Sequence, residues 1–195
     1  MFLNDYVSFN NLLVLLREYL YDNSVTFKLK EQKEALKLIL QNTSCLTIIL
    51  VTLSDKSFLY LLLASLSITE STIIIVSLIA LKSDPLRKVK EIKISALIYK
   101  EKKLINKLVL ISIETIVSLS FQLFLMSLHA ENKLNKIIFN EYHLIVTAAN
   151  YKYRMHELKK LRLIITQFVF LFTTLSVSVL QEINKILFLS NNVVL

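Results

Sequence analysis

Lys56 and Ser57 stand where a short apolar run, TIILV (47–51), gives way through Thr52-Leu53-Ser54-Asp55 to the apolar stretch SFLYLLLASL. A lysine and a hydroxyl residue opening a helix directly after a buried strand can bind a polyphosphate. The ammonium reaches the β and γ phosphates, and the hydroxyl ligates Mg²⁺. The same residues also suit a Ser-Asp helix cap followed by a solvated lysine, so other groups must decide between the two. One such group is Ile137-Ile138-Phe139-Asn140-Glu141-Tyr142-His143, an apolar run ending in polar residues. An acid pair at that point would hold Mg²⁺ and polarise an attacking water, and here Asn140 takes the place of the first acid. A third group, Thr173-Thr174-Leu175-Ser176, comes after the run QFVFLF, and Phe27 precedes Gln32 by five residues ahead of the lysine.

The segments between these groups are the elements that must bring them together. Residues 1–24 read as a helical segment, with Leu12, Leu13, Leu15, Leu16 and Leu20 clustered and a polar break at Asp22-Asn23-Ser24. KEQKEALKLILQN is an amphipathic helix that turns Ala35, Leu36, Leu38, Ile39 and Leu40 inward. Then come the runs at 47–51, TIIIV (72–76), KLVLISI (107–113), KIIFN (136–140) and QFVFLF (167–172), with KISALIY (93–99) as a further candidate. Short runs apolar on both faces, separated by helix-length stretches, predict a parallel sheet covered on both sides. Ligands of such sheets sit beyond the carboxyl ends of the strands, where the polar groups above lie.

Composition bounds the alternatives. The 195 residues suffice for one domain and contain no glycine, against the roughly fourteen of ordinary usage, and one proline. Glycine normally serves positive φ, helix ends and phosphate-wrapping loops, so other residues must fill those places. The absent residues are those with GC-rich codons, as mutational drift toward AT would produce. Net charge is +8, which suits a polyanion partner. Cys45 is the single cysteine, fit for an apolar role, and no Cys/His spacing resembles a metal site. No secretory signal opens the chain, and an intracellular location is the expectation. The uncharged stretch 163–181 reads as a strand, a turn and a helix. On hydropathy it also admits a single membrane span.

In these motifs, from about residue 14 to its end, the chain resembles the first RecA-like domain of superfamily 2 nucleic-acid helicases, of the RecQ-like DExH type. Phe27 with Gln32 is similar to the family's adenine-reading element, and LVTLSDKS (50–57) to a phosphate loop L-P-T-G-x-G-K-S. IVSLIALKSD (75–84) resembles V-V-P-L-I-A-L-x-x-D, a backbone-contacting segment, and ISIETIVSLSFQ (111–122) the family's next such element. NEYHL (140–144) resembles D-E-C-H-L, and FLFTTLSVS (170–178) the coupling motif F-L-T-A-T-L-P-P-S. The resemblance implies a three-layer α/β fold over 25–195, with 1–24 as an N-terminal helical segment. It implies ATP held by Gln32, Thr52, Lys56 and Ser57, and Mg²⁺ by Ser57 and Asn140. Glu141 and His143 become the catalytic pair, Ser77, Lys82 and Ser112 nucleic-acid contacts, and Thr173 and Thr174 the coupling motif. DNA is the implied partner, the nucleus the implied location, and a second RecA-like domain the expected missing half of a working helicase.

The departures from the family pattern are specific. Asp55 replaces Gly, Asn140 replaces Asp, Tyr142 replaces Cys, Thr173 replaces Ala, and Ser77 and Ser176 replace Pro. Each is one G-to-A or C-to-T codon change, while Leu53 for Gly and Phe172 for Thr need others. A loop with side chains at 53 and 55 loses its cradle, so the resemblance implies the family's site with impaired ATP chemistry. A nucleic-acid-binding module without a working phosphate loop is the alternative. It would rest on the basic stretches 87–107 and 152–162, which read more readily as solvated helix faces.

Overall fold

The structure, a computed structural model, describes residues 13–14, 17, 23, 26–27, 29–41, 43–51, 56–67, 69–76, 96–98, 107–140, 161, 163–174, 176–187 and 192–194. Among them the chain runs α1 (Lys30–Leu40), β1 (Cys45–Ile49), α2 (Lys56–Leu66), β2 (Ser71–Val76), β3 (Ala96–Ile98), β4 (Leu108–Ser112) and α3 (Ile113–Ile116). It continues with α4 (Leu119–Ala130), β5 (Leu134–Asn140), β6 (Gln167–Phe172), α5 (Val177–Leu187) and β7 (Asn192–Val194). The seven strands form one sheet in the order β3-β4-β2-β5-β6-β1-β7. Every described pairing is parallel. All the apolar runs singled out in the sequence are strands, shifted by a few residues at some ends. β7 is an addition to them, because three residues carry no readable period.

Alternation along each strand builds two cores. Leu46, Ile48, Ile74, Leu110, Ile138 and Val169 point to one face and pack with Leu36 and Ile39 of α1 and Leu59, Tyr60 and Leu62 of α2. Ile73, Ile75, Val109, Ile137, Phe139 and Phe170 point to the other and pack with Phe121, Leu125 and Leu128 of α4. Each fully buried side chain of this kind stabilises the fold by about 1.5–3 kcal/mol relative to exposure, which is why the strands are apolar at successive positions. Phe139 and Phe170 stack at 4.7 Å across β5 and β6. Cys45 is buried in the α4-side core, where desolvation pushes its thiol pKa up to about 12, in keeping with an apolar role.

The missing glycine shows at the end of α4. Asn132 is the one residue with positive φ among those described, at 53°. Its N–H donates to the His129 carbonyl at 3.0 Å, and the Lys133 N–H donates to the Leu128 carbonyl at 2.8 Å. This is the paired bond pattern that ordinarily ends a helix at glycine, with asparagine in its place.

The uncharged stretch 163–181 is divided as the strand reading requires. Its strand is β6, Thr173 and Thr174 form a bend, and α5 begins at Val177. No described helix is long and apolar enough to cross a membrane. Most of 1–24 lies outside the described residues; of it, Leu13, Val14 and Arg17 are helical, and Leu13 packs on the α1–α2 core.

Candidate nucleotide site

From β1 the chain jumps three strands along the sheet to β2, then later returns inward through β5 and β6 to lie beside β1. The carboxyl ends of β1, β6 and β5 are therefore neighbours, with Ile49 opposite Phe172 and Leu171 opposite Asn140. The Leu50 N–H donates to the Phe172 carbonyl at 2.9 Å, which pins the exit of β1 to the exit of β6. The residues leaving these three strands therefore share one edge of the sheet, at the place where ligands of parallel sheets bind.

Three polar groups meet this edge on the α2 side. Lys56 is the first residue of α2, and its Nζ donates to Oγ1 of Thr173, the residue just after β6. The partners are 117 residues apart, so the contact comes from the fold and not from local chain geometry. Asn140 ends β5 two residues after Ile138, whose side chain packs in the α1–α2 core, so alternation places the Asn140 side chain on the same face. Its Oδ1 is buried and has no hydrogen-bond partner among the described residues. Leaving a buried acceptor unsatisfied costs about 1–3 kcal/mol, a cost that a donor or cation at this point removes.

Mg²⁺ and a polyphosphate can be tested against these residues. An ammonium at the start of a helix with no acid in its first turn fits an anion. Half-buried Ser57 is next to it on the same turn. The unsatisfied Asn140 oxygen fits a cation by its position, but as a neutral carbonyl it lacks the charge that a carboxylate would bring. The residues thus fit a polyphosphate with a cation by position, without the full charge such a pair calls for.

Phe27 meets Phe58 of α2 edge to face, with centroids 5.9 Å apart, so the segment ahead of α1 lies against the helix that Lys56 opens. Gln32 is buried, and its Oε1 accepts the Leu29 N–H at 3.2 Å. The residue expected to read adenine thus has one end of its amide holding the start of α1. Ser112 is at the carboxyl end of β4, buried, with its hydroxyl 3.0 Å from that of Thr115. Thr173 is half-buried and Thr174 exposed. Thr52, Ser77, Lys82, Glu141 and His143 lie outside the described residues, as do Leu53, Asp55 and nearly all of both basic stretches.

Two polar features go beyond the sequence motifs. One is the Lys56–Thr173 bond. The other, at the opposite edge of the sheet, is a buried row of Thr72, Lys136 and Gln167 on β2, β5 and β6. No periodicity signals either, because each depends on strands far apart in sequence becoming neighbours.

No family profile matches the sequence, and no curated relative aligns with it. Solved structures do match. The DUF1998 helicase MrfA superposes with a TM-score of 0.72 at 13% identity, over 93% of this chain and 32% of that one. MrfA bound to DNA gives 0.68 at 15% identity, over 92% of this chain and 29% of that one. Dbp5 of S. cerevisiae, bound to RNA and ADP BeF3, gives 0.67 at 19% identity, over 97% of this chain and 52% of that one. The chain thus spans from under a third to about half of the proteins it matches. The fold is a RecA-like α/β fold.

Proposed function

We propose that the chain is a nucleotide-binding domain of the superfamily 2 helicase type, RecQ-like in its motifs, with an impaired ATP site and DNA as its nucleic-acid partner. The observation that carries this reading is the meeting of Lys56, Thr173 and Asn140 on one face of the β1–β6–β5 edge. Mg-ATP, when bound, supplies the polyphosphate charge and the anhydride bond to be hydrolysed. Lys56 would donate to its phosphates, Ser57 and Asn140 would hold the metal, Glu141 would polarise water, and His143 would link the site to Thr173 and Thr174. Thr52 is assigned to the phosphates and Gln32 to the base, and Ser77, Lys82 and Ser112 to the nucleic acid. The roles assigned to these residues are binding and residual hydrolysis. A nuclear location accompanies it.

The impairment has a magnitude. A carboxylate from Asp55 about 4 Å from a phosphate costs roughly 4 kcal/mol per charge pair at an effective dielectric of 20. That is about a thousandfold in affinity. The test is calorimetric titration with Mg-ATP of the chain and of a variant carrying Leu53→Gly, Asp55→Gly and Asn140→Asp. Weak or absent binding by the chain and a gain of about a thousandfold in the variant is expected. Equal affinity in both, or turnover at ordinary enzyme rates by the chain itself, overturns the reading. In parallel, single-stranded DNA should bind at low salt and be released as salt rises.

A further inference from the structure

The main chain just before Thr173 is tied to the exit of β1, where Thr173 meets Lys56. The preceding residue, Phe172, is fully buried, pairs with Ile49, and accepts the Leu50 N–H at 2.9 Å. The main chain entering Thr173 is thereby fastened to the main chain leaving β1, and its Oγ1 receives the Lys56 ammonium. A hydroxyl oxygen at this point offers the lysine the hydrogen-bond acceptor of a phosphate oxygen, without its charge.

We propose that Thr173 is an internal substitute for phosphate, a cap that holds Lys56 Nζ when no polyphosphate is bound and that a polyphosphate must displace. The proposal rests on the nucleotide reading above and adds a competitor that belongs to the chain itself. A ligand that binds only the uncapped state has its affinity reduced by the uncapped fraction, so a cap closed about ten times in eleven weakens binding roughly tenfold. The chemical class concerned is any polyphosphate, since the contested group is the lysine and not the base site. The hydroxyl to be displaced sits in the bend that follows β6.

The test uses the full chain in two measurements. The first is the rate at which Lys56 is acylated by an amine-reactive ester, read by mass spectrometry, in the wild type, Thr173→Val and Thr173→Ser. Valine keeps the shape and removes the acceptor, so Lys56 should label several-fold faster in it, while serine should match the wild type. The second is calorimetric binding of inorganic triphosphate to the chain repaired at 53, 55 and 140, with and without the added substitution Thr173→Val. The form carrying Thr173→Val should bind about tenfold tighter. Equal labelling of Lys56 in the wild type and Thr173→Val overturns the cap. Faster labelling with unchanged triphosphate affinity overturns the competition and leaves the nucleotide reading standing. No triphosphate binding by either repaired form overturns the nucleotide reading and the competition together. Thermal unfolding of each variant checks that both comparisons concern folded protein.

Discussion

Lys136 should make the stability of this domain rise with pH over a range where most proteins lose it. It is 5% exposed, in β5 between Thr72 of β2 and Gln167 of β6. Burial lowers its pKa from the ordinary 10.5 to about 8, and the Glu70 carboxylate opposes that shift. Between about 8 and 10.5 the unfolded chain therefore binds more protons than the folded one, and stability increases as pH rises. Fully expressed, the difference amounts to about 3.4 kcal/mol, of which about 2.5 kcal/mol falls between pH 7 and pH 10. Denaturant unfolding at pH 7, 8, 9 and 10 of the wild type and Lys136→Met measures it. Tyrosines and other lysines titrate in both proteins and cancel in the difference. The variant should be the more stable at pH 7, and its advantage should shrink by about 2.5 kcal/mol by pH 10. Glu70→Gln should deepen the deficit at pH 7, since it removes the charge that favours the ammonium. A wild-type-minus-variant difference that is flat with pH would refute the reasoning.

Both ends of α4 lend themselves to substitution. Asn132→Ala should cost about 1 kcal/mol in thermal unfolding, because alanine has no local hydrogen bond to offset positive φ, whereas Asn132→Gly should leave stability unchanged or raise it by about 0.5 kcal/mol. At the other end, the Ser118 hydroxyl accepts the Phe121 N–H at 3.3 Å, and Ser118→Ala should cost about 1 kcal/mol by denaturant titration, with the stability retained in Ser118→Asp.

The sheet is readable in the sequence because its strands are buried on both faces and so carry unbroken apolar runs. Ile73 to Val76 serve both cores in alternation, and no polar residue blurs the run. The site is readable only as residue types at strand ends. The motifs single out Lys56 and Asn140, and the sheet order sets β1, which leads to Lys56, one strand away from β5, which ends at Asn140. The Lys56–Thr173 bond is out of reach of the sequence, since it is a side-chain choice between residues 117 apart. Gln32 shows the converse: a glutamine at the third position of a helix can hold the helix start as readily as a base, and its bond to Leu29 is the local one. Lys136 is hidden because one lysine inside a strand reads as solvent-facing until its neighbours are known.

The absence of glycine bears unequally on the fold and on the chemistry proposed above. A parallel sheet between helices needs no positive φ along its strands, and its Ile, Leu and Phe residues are ones that drift toward AT supplies. Where α4 must end in a left-handed residue, Asn132 serves, at a cost below about 1 kcal/mol. A phosphate loop has no such substitute, because it must turn several N–H groups toward one anion without Cβ atoms in the way. In the proposed site, Leu53 and Asp55 stand in the sequence where that loop would be. On the function proposed above, a glycine-free composition spares the architecture and falls on affinity, by about a thousandfold for a carboxylate about 4 Å from a phosphate. Restoring glycine at 53 and 55 should accordingly move nucleotide affinity far more than unfolding free energy, and a variant that gained stability without gaining affinity would break that link between fold and site.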